Sequence, residues 1–145
     1  MFKKYLTLIG HTKSVTSIKF SEDENLLASG SSDCTIKLWS PSLQGKHEAT
    51  LYGHELGISD ICWSSDNHSI ASASDDCMVK IWDTTTTKCV LTLHGHDSYV
   101  MCCVFNCFNN LLITGSYDET VRIWDIRSDK CIKILNCHTE PITSM

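Results

Sequence analysis

The sequence contains no apolar stretch close to the roughly 18 residues that a membrane-spanning helix needs. Its start, MFKKYLTLIGHTK, has too short an apolar run and too early a Gly-His pair for a signal peptide. It also has no basic run, because its 12 Lys and Arg are scattered among 17 Asp and Glu. The resulting net charge of −5 weighs against nucleic acid as the primary ligand. These absences predict a globular chain inside the cell.

Cysteine is abundant instead, with nine in 145 residues, but the pattern does not suit a disulfide scaffold. The number is odd, Cys102 and Cys103 are adjacent, and no CxxC pair occurs. Reduced thiols that pack as small hydrophobic side chains fit better, which favours the cytosol or the nucleus. The 42% hydrophobic content is enough for the core of about one domain.

A repeat is visible from the spacing of a Gly-His dipeptide. It occurs at Gly10-His11, Gly53-His54 and Gly95-His96, with a degraded copy at Cys137-His138. Successive histidines are 43, 42 and 42 residues apart, and a tryptophan follows each of the first three by 28 residues. An aspartate precedes each tryptophan by six residues, and a serine or threonine precedes that aspartate by four. Between these markers, short β-branched and aromatic segments alternate with turn residues, which predicts strands.

A period of 40 to 45 residues is typical of a four-stranded WD blade. The runs KIWD at 80–83 and RIWD at 122–125 match the WD signature fully, whereas Trp39-Ser40 lacks the following aspartate. The chain thus resembles the WD-repeat β-propeller family over essentially its whole length. The resemblance implies an all-β propeller segment with three complete four-stranded blades and a partial blade at each end. Its expected parts are an outer strand of a preceding blade (1–11), blade one (12–53), blade two (54–95), blade three (96–138) and the start of a fourth blade (139–145).

In this family the repeated polar residues form a hydrogen-bonded network inside each blade. The resemblance implies the same role for three sets here: His11, Ser29, Asp33 and Trp39; His54, Ser72, Asp76 and Trp82; and His96, Thr114, Asp118 and Trp124. An indole N–H needs an acceptor, a hydroxyl can accept and donate, and an aspartate can orient a neutral imidazole.

These side chains allow two chemical alternatives. A Ser-His-Asp set also occurs in hydrolases, but three identical copies indicate structure, and no GxSxG elbow is present. His94 and His96 could suggest zinc, but no cluster of further ligands accompanies them. We therefore expect no catalysis, no metal and no cofactor.

Two longer runs, residues 54–83 and 99–135, resemble more specifically the WD-repeat scaffold subunit of histone lysine-methyltransferase complexes of the trithorax and COMPASS type. That resemblance implies binding of arginine-containing peptides, such as histone tails or other subunits of the complex, at the mouth of a central channel, in the nucleus. The implied peptide-binding residues are Ser32, Ser59, Asp75, Met101, Cys102, Tyr117 and Thr143. The alternatives are a generic cytoplasmic WD-repeat adaptor or substrate receptor, and a truncated remnant without a function of its own.

Propellers usually close with 4 to 8 blades, so three blades leave two apolar faces uncovered. Either the sequence is a fragment of a longer propeller, or the chain associates with itself or with a partner to cover these faces. No contact with nucleic acid or membrane is expected.

Overall fold

The computed structural model describes residues 6–136 and 138–144, without the side chain of Leu43. Twelve strands are present in this part of the chain. They are β1 (Val15–Phe20), β2 (Leu27–Ser31), β3 (Thr35–Ser40), β4 (Lys46–Tyr52), β5 (Ile58–Trp63), β6 (Ser69–Ser74), β7 (Val79–Asp83), β8 (Cys89–Leu93), β9 (Val100–Phe105), β10 (Leu111–Ser116), β11 (Val121–Asp125) and β12 (Lys130–Leu135). A single 3-10 turn, Pro41–Leu43, follows β3.

The strands form three antiparallel four-stranded sheets, and each sheet uses four consecutive strands. β1–β4 form blade one, β5–β8 blade two and β9–β12 blade three. This arrangement confirms the predicted all-β fold class. The innermost strands β1, β5 and β9 pack side by side, so that the blades lie next to one another in chain order.

The core lies between the blades because successive side chains of a strand point to opposite faces. In β6, Ile70 packs against blade one, whereas Ala71 and Ala73 pack against blade three. The core between blades one and two includes Ile36, Leu51, Ile61 and Trp82. The core between blades two and three includes Val79, Leu93, Val100, Leu112 and Trp124.

Polar side chains also join one blade to the next. The Asp60 carboxylate accepts hydrogen bonds from the Ser17 hydroxyl of blade one (2.8 Å) and from the Cys103 N–H of blade three (3.3 Å). Just beyond the ends of the inner strands, the side-chain amide oxygen of Asn67 accepts a hydrogen bond from the Glu22 N–H, and that of Asn109 accepts one from the Ser65 N–H. Each blade is therefore hydrogen-bonded to its neighbour in the middle of the inner strands and just beyond their ends.

The two end segments lie where strands of neighbouring blades would lie. Leu8 lies over the open face of blade one beside Trp39, as Leu51 lies beside Trp82. At the other end, the Ile142 N–H donates to the Ser116 carbonyl, and the Ile142 side chain approaches Gly115 just as Ile58 approaches Gly30.

The predicted outer strand at residues 1–11 is not seen as a strand. Residues 6–11 have no regular structure, and residues 1–5 lie outside the described part of the chain. The expected start of a fourth blade at 139–145 is also irregular over 139–144, and residue 145 is not described. The physical reason is the same at both ends, because neither segment has a strand to pair with among the described residues.

Within residues 6–136 and 138–144 the structure holds no helix of a length and apolarity suited to crossing a membrane. The eight cysteines in this part of the chain are all free thiols.

Candidate functional site

The predicted network of blade two is formed in the structure. His54 Nδ1 donates to Asp76 Oδ2 (2.7 Å), and His54 Nε2 accepts the Ser72 hydroxyl (2.7 Å). The Trp82 indole N–H donates to the same hydroxyl (2.8 Å). The network links the loop before β5 to the second and third strands of the blade, so it fixes the entry of the chain into the sheet.

Blades one and three form the same network at matching distances. His11 bonds to Asp33 and Ser29 at 2.9 and 2.8 Å. His96 bonds to Asp118 and Thr114 at 2.8 and 2.7 Å. The indoles of Trp39 and Trp124 donate to the hydroxyls of their own blades at 2.8 Å. All twelve side chains named from the sequence are thus brought together in three sets of four.

The three aspartates are held in their ionised form. Burial raises the pKa of Asp76, but hydrogen bonds from His54 and from the Glu55 and Met78 amides outweigh it and lower the pKa to about 2. For Asp33 and Asp118, burial is outweighed by the hydroxyls of Thr35 and Thr120 together with the histidine and backbone bonds, and the pKa falls well below its usual range. Burial lowers the pKa of His96 despite Asp118 beside it, so its neutral form is favoured.

This arrangement is suited to structure rather than to catalysis. The hydroxyls of Ser29, Ser72 and Thr114 are buried, and each is held by two ring nitrogens. A nucleophile needs access to substrate and an oxyanion site nearby, and a buried hydroxyl between two rings has no such access. The described residues contain no group of three or more His, Cys, Asp or Glu side chains that could hold a metal ion.

The residues implied for peptide binding fall into two sets of equivalent positions. Ser32, Asp75 and Tyr117 begin the turn between the second and third strands of each blade. Ser59 and Met101 are the second residues of the inner strands β5 and β9, and Thr143 follows Ile142 at the corresponding place after blade three.

Several of these residues meet at the junction of two blades. The Ser59 hydroxyl donates to the Asp75 carboxylate (2.8 Å). Gly57 lies between Asp75 of its own blade and Ser32 of blade one, because a Cβ at Gly57 would be 3.3 Å from Asp75 and 3.2 Å from Ser32. The junction between blades one and two is thus lined by hydroxyls and a carboxylate.

An aromatic pair lies at the same end of blade three. The rings of Tyr99 and Tyr117 are 6.2 Å apart and tilted by 53°, and both are about half exposed. In the neighbouring turn of blade two, burial raises the pKa of the Cys77 thiol, and the carboxylates of Asp76, Asp118, Asp75 and Asp97 raise it further, so several carboxylates lie near this turn. Sequence reasoning missed Tyr99, although its place three residues after His96 on a loop was a usable signal.

Cys102 differs from the other residues in this set. Its side chain is only 4% exposed and its thiol points to the Gly115 carbonyl inside blade three. Burial raises the pKa of this thiol to about 11. The reason is strand alternation, since Met101 and Cys102 are neighbours and point to opposite faces. A peptide at this surface would not reach the Cys102 thiol.

Comparisons with known proteins agree with the repeat geometry. The WD domain, G-beta repeat family matches residues 2–40, 45–83 and 87–125. Protein Mut11 of Chlamydomonas reinhardtii is 62% identical over 32 residues, which are 22% of this chain and 9% of that protein. Pre-mRNA-processing factor 19 of Oryza sativa subsp. japonica is 44% identical over 41 residues, or 28% of this chain and 8% of that protein.

A solved structure of U3-55K is similar in fold, with a TM-score of 0.90 and 24% sequence identity. The similarity covers 94% of this chain and 43% of that one. The matched stretches are less than a tenth of either curated relative. The three family matches cover most of the sequence and coincide with the three histidine networks. The chain therefore belongs to the WD-repeat family.

Proposed function

We propose that this chain is a non-catalytic protein-binding scaffold that takes an arginine-containing peptide at the loop end of its inner strands. We call this area the mouth surface and define it by Ser32, Ser59, Asp75, Tyr99, Met101, Tyr117 and Thr143. Family membership supports the scaffold role, because WD-repeat propellers generally bind proteins and peptides. The peptide chemistry is supported by the side chains on the surface itself.

The single observation that carries the proposal is the exposed Tyr99–Tyr117 pair in an acidic setting. A guanidinium group binds well against an aromatic face while its edge donates to carboxylates and carbonyls. Asp75, fixed by the Ser59 hydroxyl, provides a carboxylate in the turn equivalent to that of Tyr117. An excess of carboxylates at this end favours a basic peptide over an acidic one.

The finer part of the proposal is that the peptide belongs to a histone methyltransferase-type chromatin complex, in the nucleus. Its support is the resemblance of residues 54–83 and 99–135 to the scaffold subunit of such complexes. The proposed partners are histone tails and the methyltransferase subunits of such a complex.

Titration calorimetry with a short peptide that carries one central arginine tests the binding. We expect the Lys and citrulline versions of the peptide to bind at least about tenfold more weakly, since lysine lacks the planar fork and citrulline lacks the charge. Asp75→Asn and Tyr117→Ala should each weaken binding about fivefold to tenfold. Glu22→Gln removes a carboxylate at the opposite end of the strands and serves as the matched control.

Equal binding of the three peptides would contradict the arginine proposal. If the arginine peptide binds but both mouth-surface variants keep the affinity of the unmodified chain, the peptide must bind elsewhere. The chromatin assignment is tested with a histone H3 tail peptide, which should bind with the same dependence on Asp75. If only that peptide fails to bind, the chromatin assignment is overturned and arginine-peptide binding stands.

A further inference from the structure

Blade two has a cavity of about 180 Å³ on its outer side that is separate from the mouth surface. Gly53 is one side of the cavity, and the other lining residues include Glu55, Asp76, Met78, Lys80 and His94. Met78 immediately precedes β7, Lys80 is the second residue of that strand, and His94 follows β8. Two carboxylates and one ammonium group thus line the same small space.

The cavity lies where the other two blades have a hydroxyl. In blade one the Thr35 hydroxyl donates to Asp33 Oδ1 (2.6 Å), and in blade three the Thr120 hydroxyl donates to Asp118 Oδ1 (2.6 Å). The equivalent residue in blade two is Met78, whose side chain has no hydrogen to donate.

Asp76 Oδ1 consequently receives one hydrogen bond among the described residues, from the Met78 N–H at 3.0 Å. Asp33 and Asp118 receive two at the same oxygen. The Asp76 side chain is only 8% exposed, so the carboxylate is largely withdrawn from bulk solvent. A nearly buried ionised carboxylate that lines a cavity and has unused accepting capacity is suited to a donor from a ligand.

The charges around the cavity select among possible donors. Glu55 and Asp76 contribute two negative charges, while Lys80 contributes one positive charge and donates to the Thr92 hydroxyl (3.0 Å). One net negative charge therefore remains, and it favours a cationic donor over a neutral hydroxyl. A compact ammonium suits this volume better than a planar guanidinium that needs a bidentate partner.

We propose that this cavity, which we call the blade-two cavity, binds a primary ammonium group from a lysine side chain or from a free peptide amino terminus. The ammonium donates to Asp76 Oδ1 in place of the missing threonine hydroxyl, and Glu55 provides a second acceptor. The site lies on the blade that is covered on both sides, so it is complete within this chain.

Nuclear magnetic resonance of the 145-residue chain tests the proposal, because methionine methyl groups report separately on the two sites. Met78 lies in the blade-two cavity and Met101 on the mouth surface. Three probes are titrated: Nα-acetyl-lysine amide, glycine amide and the uncharged Nα-acetyl-norleucine amide. We expect saturable shifts of the Met78 methyl, without shifts of Met101, for one or both amines. The amine that binds more tightly identifies the source of the ammonium.

Two variants separate the proposal from a nonspecific effect. Because one of them lacks Met78, the backbone amide signal of Thr92, which also lines the cavity, reports binding in both. Met78→Thr restores the hydroxyl of the other blades and should abolish amine binding while the fold is kept. Glu55→Gln should weaken binding about threefold to fivefold, as expected for one partly exposed charge pair. Equal binding of the norleucine amide, full binding by Met78→Thr, or no shift with either amine would each overturn the proposal. These outcomes leave arginine binding at Met101 unaffected, so the two proposals fail separately.

Discussion

Blades two and three carry identical apolar residues at three equivalent positions, yet these residues differ in burial. Val79, Ile81 and Leu93 of blade two are 1–3% exposed. Their counterparts Val121, Ile123 and Leu135 in blade three are only half-buried. The difference comes from the neighbour, since blade three covers the face of blade two and no described blade covers that of blade three. Burial in this fold is therefore decided between blades rather than within one.

The same contrast exists on the opposite face of blades one and two. Ile61 is fully buried against blade one, whereas the equivalent Ile18 is 61% exposed. We expect Ile61→Ala to lower the free energy of unfolding by about 2–5 kcal/mol, the usual cost of a buried isoleucine truncated to alanine. Ile18→Ala should cost less than about 1 kcal/mol. Urea denaturation of both variants measures the difference, and equal losses would show that the Ile18 face is covered in solution.

Two glycines sharpen the comparison between an internal contact and an end contact. A Cβ at Gly30 would lie 3.0 Å from both Ile58 and Ile61, which are fixed in the core. Gly30→Ala should therefore cost about 1–3 kcal/mol through overpacking. At Gly115 the Cβ would lie 2.6 Å from Ile142 and 2.8 Å from the buried Cys102 thiol. Gly115→Ala should therefore cost about as much as Gly30→Ala in a thermal melt, and it should also increase amide exchange at Ile142. A much smaller loss for Gly115→Ala would mean that the neighbours of Gly115 move aside more easily than the core between blades one and two.

The smallest effect is a pH dependence that arises from His96 in blade three. Burial lowers the pKa of His96 below its ordinary value, so the unfolded chain binds a proton more readily than the folded one. Stability is thus fully present above about pH 6.5 and is lost as the pH falls toward the lower folded pKa. The slope from one such proton is at most about 1.4 kcal/mol per pH unit. His96→Asn should remove this slope between pH 5 and 6.5 in urea melts, and an unchanged slope would assign it to another group.

Much of this fold could be predicted because the repeat places residues that need specific hydrogen-bond partners at fixed intervals. The three histidine networks follow from spacing together with the family resemblance. Strand ends were less predictable: the segment 130–138 looks like one strand, but β12 ends at Leu135. The partner strand β11 begins at Val121, which pairs with Leu135, so β12 has no residue of β11 to pair with beyond Leu135. Hydrogen bonding, rather than side-chain pattern, sets that limit.

The Asp60 contacts between blades were not predictable from the repeat, because they use a position whose residue differs in every copy. Asp60 has Ser17 and Cys102 at the equivalent positions, so nothing in the motif indicates its bridging role. The blade-two cavity had a signal that sequence reasoning passed over. Met78 replaces the threonine found at positions 35 and 120, and such a departure from an otherwise regular repeat marks a place where one blade differs from the others.

The Asp60 bridge has a consequence for how the molecule comes apart. Unfolding of repeat proteins is usually described as a chain of units, each coupled only to its nearest neighbours. Here one carboxylate in blade two holds a side chain of blade one and a backbone amide of blade three at the same time. Loss of either outer blade removes a bond from a group that the other outer blade also uses. Blades one and three therefore share one hydrogen-bond acceptor in blade two, which is a next-nearest-neighbour link absent from the usual description.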